Sequence, residues 1–433
     1  MSLAASYSAG ELKKPSIGVI AFAGSIGTII EWYDFLIYGT ASALVFNTLF
    51  FPNIDPKIGT LAALGTFAVG FLARPVGGLI FGHFGDRLGR KSMLMLTMVL
   101  MGLSTAAIGF LPTYAQIGFW AAVLLVLLRI AQGIALGGEW GGASLMVLEH
   151  APPARRGLFG SFVQVGFPIG LVLASAVFSV VSMLSDADFK AWGWRIPFII
   201  SVALIGVGIY VRARLPETPV FEEMRANGRI VRSPFLEIVL KSPSTFLVAA
   251  GLKLSEVSWV YMLTVFVVVY ATTTLGLTKS LMLNAILFGA LLELFTIPLF
   301  GHLSDVFGRR PLYFGGVIFT IVFAFPLFWL LNMGTPGVVI PTVIVALNLG
   351  HGLMFAPEST YFPELFGPNV RYSGASLGFQ VSAAIGGGFA PVIATSLSAY
   401  TGGTAGVSIM LILLALVTLV ATLFARETNS RTR

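Results

Sequence analysis

Gly82-His83-Phe84-Gly85-Asp86-Arg87-Leu88-Gly89-Arg90-Lys91 and Gly301-His302-Leu303-Ser304-Asp305-Val306-Phe307-Gly308-Arg309-Arg310 are one pattern written twice, 219 residues apart. Each copy sets glycines, one acid and a pair of basic residues between long apolar stretches. An offset of about half of a 433-residue chain is the mark of a duplicated architecture. In a membrane protein, two halves that each carry a charged turn point to a secondary transporter.

Composition supports the membrane. Hydrophobic residues make up 56% of the chain and charged residues 10%, outside the range of soluble domains. Apolar stretches of about 20 residues cross the hydrocarbon as helices. They recur at 16–45, 57–81, 92–111, 117–148, 156–182, 193–213, 243–271, 281–300, 311–331, 337–364, 372–398 and 404–425. A membrane barrel would instead alternate in strands of about ten residues. The expected fold is therefore an all-α membrane protein of twelve transmembrane helices in two pseudo-symmetric six-helix bundles. The bundles are 1–213 and 243–433, joined by a linker, 214–242, that holds Glu217, Glu222, Glu223, Arg225 and Arg229.

Cysteine is absent, which excludes disulfides and thiolate metal sites. The four histidines are scattered, so no metal or cofactor is expected. The first apolar stretch contains Glu31 and Asp34 and is too long for a cleaved signal, so it reads as a retained helix. With the N-terminus inside, 19 of the 26 Lys and Arg fall in cytoplasmic segments, among them Lys13, Lys14, Arg212, Arg232, Lys241, Arg431 and Arg433. That asymmetry predicts both termini in the cytoplasm. It also accounts for the net charge of +7 without nucleic acid as a partner, because the basic residues are dispersed. The expected partners are the lipid bilayer, a small-molecule substrate and protons, with H+ as coupling ion and the chain acting as a monomer.

Sliding one half over the other by 219 residues aligns Arg74 with Glu293, Arg129 with Asn348, Glu139 with Glu358 and Asp34 with Lys253. A slightly relaxed offset brings Glu149 to Glu364, Arg156 to Arg371 and Gln164 to Gln380. Matches at charged positions, rare in this chain, make coincidence a poor explanation.

Two six-helix halves with G-x-x-x-D-R-x-G-R-K between helices two and three, and a degenerate copy between eight and nine, resemble the major facilitator superfamily. Four further stretches narrow the resemblance to its metabolite:proton symporters: Glu31-Trp32-Tyr33-Asp34-Phe35, Arg74-Pro75-Val76-Gly77-Gly78, Gly137-Gly138-Glu139-Trp140-Gly141-Gly142 and Trp192-Gly193-Trp194-Arg195-Ile196-Pro197-Phe198. The resemblance implies proton-coupled import across a bacterial inner membrane by alternating access. It implies shikimate or a related hydroxylated carboxylate as substrate; dicarboxylates, aromatic acids, or proline and betaine stay open. A proton-coupled drug antiporter is the rival. No Ser/His/Asp set, metal cluster or phosphate-cradling loop suggests an enzyme.

An ionisable group inside hydrocarbon costs at least a few kcal/mol, which makes each one a functional candidate. Asp34 with Arg129 is the expected proton-coupling pair: a carboxylate keeps its charge beside an arginine and takes up a proton when drawn away from it. The same Asp and Arg resemble the pair of the proton-linked sugar porters. Glu31, one turn before Asp34, shares the proton, contacts substrate or is structural. Arg74 either forms a strut with Glu139 or Glu31, or binds a substrate carboxylate. Lys253 and Glu256 are three apart and are expected to pair, with Lys253 offering a cation to an anionic substrate. Tyr33, Tyr38, Tyr261, Gln164 and Gln380 are candidates to line the cavity. His351 and Glu358 share a helix face; His351 is either a proton carrier or a hydrogen-bonded structural residue.

The repeated stretch carries the expected gate. Gly82 allows close helix contact. Asp86 is expected to accept backbone N–H bonds at the start of the eleventh helix, around Pro368 to Arg371. Arg87 and Arg90 are expected to pair with Glu149 or Glu364, and Asp305 and Arg309 repeat the arrangement in the second half. Such contacts hold only while the cytoplasmic side is closed.

Overall fold

The structure, a computed structural model, describes residues 16–53, 56–227, 237, 238, 240 and 242–429. Lys13, Lys14, Arg229, Arg232, Lys241, Arg431 and Arg433 lie outside the described residues. Among the described residues twelve long helices follow one another: α1 (Ile17–Ala41), α2 (Pro56–Leu88), α3 (Arg90–Gly109), α4 (Trp120–His150), α5 (Arg156–Val181) and α6 (Ile196–Ala213), then α7 (Pro243–Thr273), α8 (Lys279–Phe307), α9 (Arg309–Leu331), α10 (Pro336–Leu365), α11 (Pro368–Thr401) and α12 (Ala405–Phe424). A short helix, Pro219–Ala226, lies between α6 and α7, with Thr218 accepting from the backbone N–H of Phe221 at its start.

The repeated stretch is not the loop its polarity suggests. Helix α2 continues through 82–88 and α8 through 301–307, so each runs about two turns past its apolar segment. Hydropathy marks the edge of the hydrocarbon, whereas the hydrogen-bond ladder runs on until something breaks it. The breakers are single glycines, Gly89 at φ 113° and Gly308 at φ 104°, where a side chain would be strained. Each corner joins two helices directly and holds the charged residues on rigid turns.

Large apolar side chains such as Leu103, Phe110, Phe295 and Trp329 are exposed on the outside, where lipid solvates them. The interior carries the charge. Glu31, Asp34, Arg74, Arg129, Glu139, Lys253, Glu256, Glu293, His351 and Glu358 are all buried. Arg212, counted above as a loop residue, is buried as well, in the last turn of α6.

Glycine sets the distance between α2 and α4. A Cβ on Gly77 would run into the carbonyl of Ile134, one on Gly137 into the carbonyl of Arg74, and one on Gly133 into that of Gly70. This is why 74–78 and 133–142 are glycine-rich: small residues let backbones meet where lipid gives helices no hydrophobic reason to associate. In α6, by contrast, a Cβ on Gly206 meets nothing within 4 Å. The Gly77→Val variant is expected to lose roughly 1–3 kcal/mol or more through overpacking. Gly206→Ala is expected to hold or gain stability. Thermal unfolding of the purified variants in detergent checks both, and equal midpoints would contradict this account of the packing.

Candidate functional site

Between the halves lies a cavity walled by Glu31 and Trp32 of α1, Arg74 of α2, Trp140 of α4, Lys253, Glu256 and Tyr261 of α7, Phe355 of α10 and Phe379 of α11. Its volume is about 20 Å3, room for a single water. Aromatic rings of the two halves pack around it. On one side the Tyr261 ring lies 5.2 Å from Phe71, 5.9 Å from Phe35 and 6.3 Å from Trp32. On the other, Trp140 stacks on Phe379 at 4.0 Å. Both contacts join one half to the other, so a substrate enters only after the halves move.

Arg74 is the unusual group on this wall. Its guanidinium lies 4.5 Å from the Phe71 ring and 5.0 Å from Phe35. Among the described residues it has neither a hydrogen bond nor an ion pair, and its Nε is buried without a partner. The strut to Glu139 does not form. Glu139 is taken by Arg212 Nη1 at 2.6 Å and by the Thr97 hydroxyl at 2.7 Å. Gly27 makes room for that pair, since a Cβ there would meet the Arg212 guanidinium and Glu139. The strut to Glu31 is also absent: Glu31 shares the cavity with Arg74, and its Oε2 has no hydrogen-bond partner.

Asp34 and Arg129 do not touch directly. The Thr105 hydroxyl donates to Asp34 Oδ2 at 2.7 Å, Gln132 Nε2 donates to Thr105 Oγ1 at 2.6 Å, and Arg129 Nη1 donates to Gln132 Oε1 at 3.2 Å. The acid and the cation are thus the ends of a relay through two side chains of α3 and α4. Arg129 also lies 4.1 Å from the Tyr38 ring. Tyr33 and Tyr38 are not on the cavity wall. Tyr33 donates to the carbonyl of Pro197 at 2.8 Å, and the Tyr38 hydroxyl bonds that of Thr66 at 2.6 Å, so both serve the core of the first half.

In the second half Lys253 does pair with Glu256, and also with Glu358 at 2.7 Å. Tyr313 donates to Glu358 Oε1 at 3.0 Å. His351 sits between two acids, Nε2 at 3.0 Å from Glu256 and Nδ1 at 2.6 Å from Glu293. These groups come from α7, α8, α9 and α10.

At the basic end, Asp86 accepts from the backbone N–H groups of Tyr372 at 3.3 Å and Ser373 at 3.0 Å, and from the Ser373 hydroxyl at 2.8 Å. These N–H groups lie in the opening turn of the α-helical part of α11, one and two residues beyond the expected span. Asp305 repeats the contact on α5, with Gly157 N–H at 2.8 Å and Leu158 N–H at 2.9 Å. A Cβ on Gly82 would press on Ser373, so the close approach needs that glycine. Arg90 meets Glu149 at 3.3 Å, and Arg309 meets Glu364 at 3.5 Å and Asp305 at 2.8 Å. Arg87 makes no such pair; it is exposed and contacts His83 at 3.2 Å. Gln164 and Gln380 belong to this closure rather than to the cavity wall. Gln164 Nε2 donates to the Phe355 carbonyl of the second half at 2.9 Å, and Gln380 Nε2 to the Leu136 carbonyl of the first at 3.3 Å.

Comparison with known proteins follows the same lines. Residues 24–387 match the Major Facilitator Superfamily. The chain is 45% identical over 380 residues to the shikimate transporter of Escherichia coli (strain K12), covering 87% of each chain. It is 36% identical over 425 residues to the proline/betaine transporter of Salmonella typhimurium (strain LT2), covering 94% of this chain and 83% of that one. The fold matches the proton:xylose symporter XylE bound to 6-bromo-6-deoxy-D-glucose with a TM-score of 0.75, at 17% identity, over 95% of this chain and 96% of that chain.

Asp86→Asn keeps the shape of the α11 contact and removes its charge. Charge-assisted hydrogen bonds are worth roughly 1.5–3 kcal/mol, so the closed form of the basic end should lose much of its excess population. The chain has no cysteine, so a single Ser376→Cys reporter at the buried interface has no background. Its alkylation rate is expected to rise in Asp86→Asn; an unchanged rate would show that the latch carries no weight.

Proposed function

The chain belongs to the major facilitator superfamily, and we propose that within it the protein is a proton-coupled importer of a small hydroxylated organic acid. The superfamily and the relatives found are transporters rather than enzymes. The observation that carries the substrate class is Arg74. A buried guanidinium with no ion pair or hydrogen bond among the described residues, held against two rings in a cavity between two moving halves, is built to receive a carboxylate. Trp32, Trp140 and Tyr261 on the cavity wall offer flat apolar surface to the ring of a cyclic acid, and Glu31 accepts from its hydroxyls. Shikimate, the substrate named for the relative at 45% identity, has this combination of carboxylate, ring and hydroxyls.

The open acid Glu31 favours one second reading. A zwitterion such as proline or betaine would place its carboxylate on Arg74 and its cation by Glu31, in keeping with the relative at 36% identity. The two readings part on Glu31→Gln, which should weaken uptake of an acid only modestly, since the Gln carbonyl still accepts from a hydroxyl, and abolish uptake of a zwitterion.

Proton coupling fits the Asp34 relay. Asp34 is joined to Arg129 through Thr105 and Gln132, so a small shift of α4 against α1 and α3 changes the charge that stabilises it. The basic end, with Arg87, Arg90, Lys91, Arg309 and Arg310, faces the cytoplasm by the positive-inside rule. Both termini then lie in the cytoplasm, and the protein works as a monomer in a bacterial inner membrane. Opening to the cytoplasm breaks the Asp86 and Asp305 latches together with the Gln164 and Gln380 bonds.

Purified protein in proteoliposomes tests the reading with radiolabelled shikimate and glycine betaine. Wild type is expected to accumulate shikimate under an inside-alkaline gradient. Arg74→Gln should lower counterflow by about 10–100-fold, the loss of a charged hydrogen-bond pair. Asp34→Asn should lose accumulation and keep counterflow. Uphill uptake by Asp34→Asn equal to wild type would remove Asp34 from the coupling, and absence of shikimate counterflow in wild type would remove the substrate.

A further inference from the structure

We propose that the buried chain Glu293–His351–Glu256–Lys253–Glu358 is a second proton-binding site, loaded together with the anionic substrate. This rests on the reading above of a proton-coupled importer and extends it to the half that the Asp34 relay does not reach.

The first argument is a proton count. Each nitrogen of His351 faces a carboxylate oxygen, Glu293 Oε1 at 2.6 Å and Glu256 Oε1 at 3.0 Å. A neutral imidazole carries one N–H, so its other nitrogen would set a lone pair against an oxygen lone pair. Both contacts are attractive only when the Glu–His–Glu triad holds one proton more, as an imidazolium or as a protonated carboxyl. The contacts therefore describe a loaded site, and losing that proton opens one of them.

The second argument is charge. Three acids, Glu293, Glu256 and Glu358, stand against Lys253 and the added proton, which leaves a net negative charge. All of these side chains are at most 3% exposed. Glu293 Oε2 has no hydrogen-bond partner, so an ionised Glu293 is poorly solvated. A buried cluster in this condition draws protons.

The third argument is connection. Glu256 and Lys253 line the central cavity, whereas Glu293 and His351 stand behind them. Lys253 is shared between Glu256 and Glu358. A carboxylate arriving at Arg74 brings negative charge to the wall and competes for the Lys253 ammonium. Either effect frees negative charge on Glu256, and the triad gains affinity for a proton. Tyr313 on α9 bonds Glu358, and Tyr261 on α7, Glu31 on α1 and Arg74 on α2 share the cavity wall with Lys253 and Glu256. Glu31 acts in the same direction as the substrate, and Arg74 is the charge that the substrate cancels. No bond is made or broken other than those to the proton: it enters with the anion and leaves with it.

The test is proton titration of the full-length protein in nanodiscs, in an Asp34→Asn background that silences the first-half relay. Infrared difference spectra between acid and alkaline pH should show a titrating carboxyl or imidazole signal. Glu293→Gln and His351→Gln, made separately so that one folded variant suffices, should each remove it. Glu31→Gln should leave it in place. A signal absent in Asp34→Asn, or unchanged by both second-half variants, overturns the proposal. Proton uptake on adding shikimate, followed with an indicator dye, separates this from the substrate reading. Uptake that survives Asp34→Asn and is lost with His351→Gln supports the linked site. Uptake that is lost with Asp34→Asn alone overturns it. No shikimate response in wild type counts against shikimate, and the infrared titration still decides whether the chain binds a proton.

Discussion

A charge inside hydrocarbon has to find its counter-charge within the protein, and most of this structure follows from how that demand is met. Fifteen acidic, basic or histidine side chains are buried among the described residues, Arg212 included. Where the pairing is complete, the pair is scaffold: Glu139 with Arg212 and Thr97 ties α4 to α6 and α3. Where pairing is left open at the cavity, as at Arg74 and Glu31, the protein holds an unmet electrostatic demand that its own side chains do not satisfy. Pairing sorts the buried charges more sharply than depth or residue type does.

The same economy governs the closure of the basic end. Two aspartates, each on a helix that outruns the hydrocarbon by about two turns, reach the opening turn of a helix in the opposite half. Asp86 meets α11 and Asp305 meets α5, where free N–H groups and the helix dipole wait for an anion. Two glutamines add bonds to backbone carbonyls across the interface, Gln164 to Phe355 and Gln380 to Leu136 and Gly137. The polar contacts of the seal involve few atoms. That suits an interface that has to part, since each bond lost to the other half is regained from water as the end opens.

How much of this was legible in sequence follows from range. Twelve helices are a local property of length and polarity, and they emerge within a few residues except where the ladder outlasts the hydropathy, at 82–88 and 301–307. The destination of Asp86 was legible because duplication and membrane sidedness place the start of α11 at the same end. The partners of buried charges were not, because they depend on rotation of each helix about its axis. Arg129 meets Gln132 before Asp34, Arg212 takes the acid expected for Arg74, and Tyr33 turns into its own bundle toward Pro197. Gly27 carried the one missed signal, a gap in α1 where Arg212 and Glu139 meet.

The duplication left the two halves alike in frame and opposite in charge economy, though not in the sense that alignment alone suggests. Asp34 aligned against Lys253 assigns the proton to the first half and the anion to the second. The geometry divides the work differently. Lys253 is already held by two carboxylates, so an anion gains from it only by displacing one of them. Arg74 is held by none, so an anion gains from it at once. Among the described residues a cation without an ion pair sits in the first half and the crowded acids in the second, with the cavity between them. An anion drawn to the first half therefore raises the negative potential on the second, and a proton is the smallest cation that answers it. On the proposed reading, coupling follows from electroneutrality across one cavity and needs no separate wire between the halves.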